Sequence, residues 1–126
     1  MIAGITGHRE LESTDWIKTK MQEIINELKI TYGYTCLAAG ADQLFAESLI
    51  YNNIRYTAVI PCANYEATFK ETTLEYFLLL KNKATKLIEL NNNQPSEKAF
   101  NEAGKIVVDN SEIMIAVWNG DEAKGL

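Results

Sequence analysis

Short apolar runs alternate along this chain with longer stretches in which apolar residues recur every three or four positions. The first run, Ile2 to Thr6, ends in Gly7. From Asp15, a candidate cap, to about Lys29, the positions Ile17, Met21, Ile24, Ile25 and Leu28 share one face at a helical period, and Tyr32-Gly33 closes that helix. Tyr34 to Ala39 reads as a second buried strand, broken by Gly40-Ala41-Asp42, and a helix from about Gln43 to Tyr51 carries Leu44, Phe45 and Leu49. A third strand, Arg55 to Ile60, halts at Pro61, which has no N–H for a ladder. Asn64 or Thr68 then opens a helical stretch with Phe69, Thr73, Tyr76, Phe77 and Leu80 inward. Lys86 to Leu90 is the fourth strand, Ser96 caps a helix with Phe100, Ala103 and Val107 on its inner face, and Glu112 to Trp118 is the fifth strand.

This alternation predicts one α/β domain over residues 1–126, a Rossmann-like three-layer sandwich around a mainly parallel five-stranded sheet. Parallel strands need crossovers that travel back over the sheet, which places helices on its faces. Ile113 to Trp118 is apolar throughout and needs cover on both sides, yet only the helix begun at Ser96 is at hand to supply it. A bare face on this strand is expected, and with it a homodimer or docking to another domain.

Composition narrows the classes of partner. With 126 residues, 47% of them hydrophobic, the chain carries enough apolar surface for a core without staples, which excludes disorder and collagen-like repeats. Twelve basic against 17 acidic residues leave a formal charge of −5, which argues against a broad grip on nucleic-acid phosphates and leaves small anionic ligands open. No apolar run approaches the roughly 20 residues of a membrane span, and the opening MIAGITGHRE lacks the order of a secretory signal. A cytoplasmic protein without a membrane partner is expected. Cys36 and Cys62 lie in apolar stretches, outside any CxxC pair and without histidines at ligand spacing, so they read as reduced core thiols and no metal or cofactor is expected.

In an open parallel sheet, ligands bind beyond the carboxyl ends of the strands, so the loops after each strand carry the candidate chemistry. After the first strand, Thr6-Gly7-His8-Arg9 combines a close backbone approach with hydroxyl, imidazole and guanidinium donors suited to an anion. Turn formation and a solvated arginine are the competing reading. After the second strand, Asp42 is placed to accept from ribose hydroxyls or to cap the following helix. Tyr65 and Phe69 offer a stacking surface for a base or belong to the core. Glu66, Glu71 and Glu75 read as a solvated face, and the sequence identifies no nucleophile or carboxylate that would make His8, its single histidine, a catalyst. Trp118-Asn119-Gly120 is a polar exit that either wraps a ligand or frays.

Taken together, GITGHR, LAAGADQLFAE, VIPC followed by Tyr65 and Phe69, and EIMIAVWNG resemble the SLOG superfamily, a Rossmann-like group. It includes the LOG phosphoribohydrolases, the DprA/Smf DNA-processing proteins, the YpsA-like proteins and nucleotide-sensing domains of antiviral systems. The resemblance implies a ligand role for Gly7, His8 and Arg9, for Gly40, Ala41 and Asp42, and for Trp118, Asn119 and Gly120. Members usually continue after the fifth strand into a glycine-rich turn and helix, which in LOG enzymes carry a catalytic glutamate. That turn would begin at Gly125-Leu126, so no catalytic residue transfers. The leading expectation is a domain that binds a nucleotide or a nucleotide-derived signalling molecule, with phosphate on Arg9 and the backbone around Gly7, ribose on Asp42, and the base on Tyr65 or Trp118. Hydrolysis of the N-glycosidic bond of a nucleoside 5'-monophosphate, aided by His8 or Asp42, is the enzymatic alternative. Single-stranded DNA binding ranks third because the chain is acidic and shows no basic stripe.

Overall fold

In the computed structural model, which describes residues 1–11 and 14–118, five strands form one parallel sheet in the order β4-β3-β2-β1-β5. They are β1 (Ile2–Gly7), β2 (Tyr32–Thr35), β3 (Arg55–Ile60), β4 (Lys86–Glu89) and β5 (Ile113–Val117). Four helices connect them: α1 (Thr14–Glu27), α2 (Ala41–Tyr51), α3 (Glu71–Lys83) and α4 (Glu97–Asn110). The expected Rossmann-like α/β architecture is what forms.

From β1 to β4 the chain steps across the sheet in one direction, then returns past β1 to lay down β5. Right-handed crossovers place the helices of the outward steps on one face and that of the return step on the other. Side-chain alternation bears this out. Ala3, Ile5, Tyr56, Ala58, Ile60 and Ile115 join the main core with Phe45 and Leu49 of α2, while Val59 packs on the opposite side with Ala103 and Val107 of α4. Gly33 lies under α2, where a Cβ would stand 2.4 Å from Leu49 Cδ1, and Gly4 lies under α4, where one would stand 2.7 Å from Val107 Cγ1.

Ser96 caps α4 as expected, its hydroxyl accepting from the Ala99 N–H at 3.0 Å. Ile17, Met21 and Ile25 are the buried stripe of α1. Several boundaries move for local reasons. Tyr32-Gly33 is not a turn but the start of β2, because a residue without a side chain is what lets α2 lie close over that strand. At its other end β2 stops at Thr35, and Leu37 turns left-handed with φ of 57°. Neither Asn64 nor Thr68 starts a long helix: Tyr65–Thr68 is a short 3-10 turn, Phe69 is extended, and α3 begins only at Glu71. Tyr76 faces solvent instead of the core.

The expected bare face of β5 is also relocated. On the side away from α4, Ile115 is buried and Ile113 and Val117 pack against the main core. The exposed apolar positions are Ala116, Trp118 and, on α4 itself, Val108. Among the described residues, no helix is long and apolar enough to cross a membrane. Cys36 and Cys62 are free thiols, both pushed upward in pKa by burial, and no group of three or more metal-ligating side chains occurs among the described residues.

Candidate functional site

The strand order reverses at β1, which pairs with β2 on one side and β5 on the other. The chain leaves β1 for α1 on one face and arrives at β5 from α4 on the other, the arrangement that in open α/β sheets leaves a crevice over the carboxyl ends of such a pair. Thr6, Gly7, His8 and Arg9 occupy its rim, all exposed. A second hollow, bordered by Leu78, Thr85 and Leu87, lies at the α3–β4 turn, the opposite end of the sheet.

The loops that meet there are locked to one another through backbone. The His8 N–H donates to Val117 O at 3.0 Å, and the Ala41 N–H donates to His8 O at 3.1 Å. Gly7 fits between these partners, since a Cβ on it would lie 2.4 Å from Val117 O and 2.7 Å from Ala41 Cβ. Gly40 is held tighter still. Its φ is 82°, and a Cβ would fall 2.3 Å from His8 O and 2.5 Å from Arg9 O, so this position needs glycine on both counts. The β1 loop therefore rests directly on the start of α2.

Asp42 braces the arrangement from beneath. Its side chain does not cap α2, whose N-cap is Gly40 without a side-chain bond. Instead the carboxylate turns back to the end of β2, where it accepts from the Cys36 N–H at 3.2 Å and the Thr35 hydroxyl at 3.4 Å. Burial pushes its pKa up to about 7, while the backbone N–H groups of Ala38 and Cys36, the Thr35 hydroxyl and the Arg9 charge hold it down. The neighbouring Gln43 amide donates to Leu37 O at 3.3 Å and to Thr73 O at 3.0 Å, tying the same loop to α3.

On the α4 side, the guanidinium carbon of Arg9 sits 5.5 Å from the centre of the Phe100 ring. Phe100 leans on Tyr65, with centroids 6.2 Å apart, and Tyr65 packs edge-on to Phe69 and Phe77. The Tyr65 hydroxyl donates to Cys36 O at 3.1 Å, and burial drives its pKa well upward. A continuous path thus runs from Arg9 through two aromatic rings to the loop that Asp42 holds.

The structure brings Thr6, Gly7, His8, Arg9 and Gly40 together with Trp118, which is 54% exposed at the end of β5. Three expected contacts are corrected. Tyr65 is 3% exposed with its ring inside the core, so no face is open to a base. Ala41 is fully buried, and its N–H is taken by His8 O. Asp42 does not cap the helix, and its carboxylate, 8% exposed, is turned to the Thr35 hydroxyl and the N–H groups of Cys36 and Ala38. Asn119 and Gly120 lie outside the described residues. From sequence Phe100 reads only as part of the inner face of its helix, since no spacing rule links it to Arg9, 91 positions earlier. Thr35 signals itself only as a polar residue inside an apolar run, and Gln43 carries no signal at all.

No protein family and no curated protein matches the sequence. Among solved structures, the X-ray structure of DNA processing protein A (DprA) from Streptococcus pneumoniae shares the fold, with a TM-score of 0.67 at 16% sequence identity over 90% of this chain. The chain spans 40% of that protein's length.

Proposed function

We propose that the crevice over β1 and β5 binds a nucleotide or a nucleotide-derived signalling molecule, within a SLOG-like domain. One observation carries the reading: the exposed segment Thr6 to Arg9 stands where the strand order reverses, locked to α2 and β5 by its own backbone. Arg9 meets phosphate with charge and in-plane N–H donors, and the exposed Trp118 ring offers the base an apolar face. Asp42 and Tyr65 support these loops from below. The structural neighbour is a DNA processing protein, but a chain of charge −5 is poorly suited to a salt-dependent hold on a phosphate backbone.

The test is a panel of AMP, ADP-ribose and a short single-stranded oligonucleotide, read by thermal shift and by chromatography of the recovered ligand. A rise in melting temperature with AMP or ADP-ribose recovered intact is expected. Release of free base and ribose phosphate from AMP replaces binding with glycosidic hydrolysis, and salt-sensitive retention of the oligonucleotide alone replaces it with DNA binding. No shift with any member removes the assignment.

A further inference from the structure

Arg9 is exposed, yet its guanidinium is not left to wander: it lies over the ring of Phe100, 5.5 Å from the centroid. We infer that Phe100 is a positioning residue for anion binding, holding the Arg9 guanidinium on the α4 side of the crevice so that the ligand's anionic group is received there, not at the amino end of α1. The inference rests on the nucleotide reading of this same site.

A guanidinium that stacks on a ring by its flat face keeps its five N–H donors in the guanidinium plane, in the fork that matches two phosphate oxygens. Stacking and phosphate capture are therefore compatible on one side chain, whereas an ion pair to a carboxylate would consume the same donors. Phe100 is itself well fixed. It sits in the first turn of α4, behind the Ser96 cap, and leans on Tyr65, which Phe69 and Phe77 hold edge-on at 5.1 and 5.3 Å. Arginine otherwise loses much rotamer freedom on binding, and a ring that pre-sets the side chain removes part of that loss before the ligand arrives.

Leucine at position 100 keeps the apolar bulk and removes the π face; tryptophan keeps the face. Titration calorimetry with ADP-ribose, whose pyrophosphate does not change charge near neutral pH, should show Phe100→Leu binding about fivefold more weakly than wild type and Phe100→Trp close to it. In an Arg9→Ala background Phe100→Leu should add no further loss, a result that a merely structural role would not give. Equal affinity of Phe100→Leu and wild type, or the same loss with Arg9 absent, overturns the inference and leaves the nucleotide reading standing. Absence of wild-type binding removes both. A readout without ligand is the Arg9 Nε–Hε resonance, which the ring should displace in wild type and release in Phe100→Leu, or in Phe100→Met if the leucine variant does not fold; an unmoved signal overturns the positioning role.

Discussion

The Ala41 amide donates to the His8 carbonyl at 3.1 Å, closing the loop after β1 onto the first residue of α2. Gly40 makes that closure possible, because at φ of 82° it passes beneath the carbonyls of His8 and Arg9 where a Cβ would collide. Gly40→Ala is expected to cost about 2 to 4 kcal/mol, combining left-handed strain with a backbone clash. Urea unfolding checks it; a loss below half a kilocalorie would mean that the two loops part easily.

Asp42→Asn separates bracing from capping. With Gly40 as the N-cap, the substitution acts on the bonds from Cys36 and Thr35, and a loss of about 1 to 2 kcal/mol at pH 8 is expected as one acceptor becomes a donor. Its pH dependence has a definite sign. The folded pKa, about 7, lies above the ordinary value of 3.8, so the native state holds a proton more tightly than the unfolded chain between those limits. In wild type this group should therefore add stability as pH falls from about 7 towards 4, and withdraw it as pH rises. Urea midpoints of the two proteins across pH 5 to 8, in about one-unit steps, should diverge as pH falls, wild type gaining stability that Asp42→Asn does not; parallel curves would show that Asp42 titrates normally.

Much of this was legible in the chain. The stripe Ile17-Met21-Ile25, the Ser96 cap and the stop at Pro61 are local signals, and each element they imply forms. The exposed position of Thr6 to Arg9 at the carboxyl end of β1 was legible as well, since an apolar run giving way to small and charged residues marks the end of a buried strand. What stayed hidden depends on partners distant in sequence. Gly33 looks like a turn until Phe45 and Leu49 are known to lie over it. Asp42 looks like a cap until its carboxylate is seen to face Cys36, and Tyr65 looks like a stacking surface until Phe77 and Phe100 enclose it. The polarity of a side chain was readable; its direction was not.

Arg9→Ala should weaken binding of ADP-ribose by about 1.5 to 3 kcal/mol, the range for hydrogen bonds to a charged group, with little change in melting temperature. Arg9→Lys should recover only part of the loss, because an ammonium makes neither the two-pronged contact nor an equal stack on Phe100. Calorimetry at fixed salt reads both variants. Full recovery by lysine would point to a simple point charge at this position and away from a forked contact.

Two glycine-to-alanine substitutions should move stability in opposite directions. Gly104 lies within α4, and a Cβ there meets nothing within 4 Å, so Gly104→Ala gains helix propensity without a steric cost. A stabilisation of about 0.5 to 1 kcal/mol is expected. At Gly33 the new methyl would stand 2.4 Å from Leu49 Cδ1 and 3.1 Å from Phe45 Cε2, and both side chains are fully buried, so neither can swing out to solvent. Gly33→Ala must push α2 off the sheet or force a rotamer, at about 1 to 3 kcal/mol. Because α2 begins at the Gly40 contact with the β1 loop, that displacement should also reach the crevice and weaken ADP-ribose binding, whereas Gly104→Ala should leave affinity unchanged. Melting curves and titrations of the two variants side by side decide it: a Gly33→Ala protein as stable as wild type would show that the helix is not seated on this strand as closely as the geometry requires.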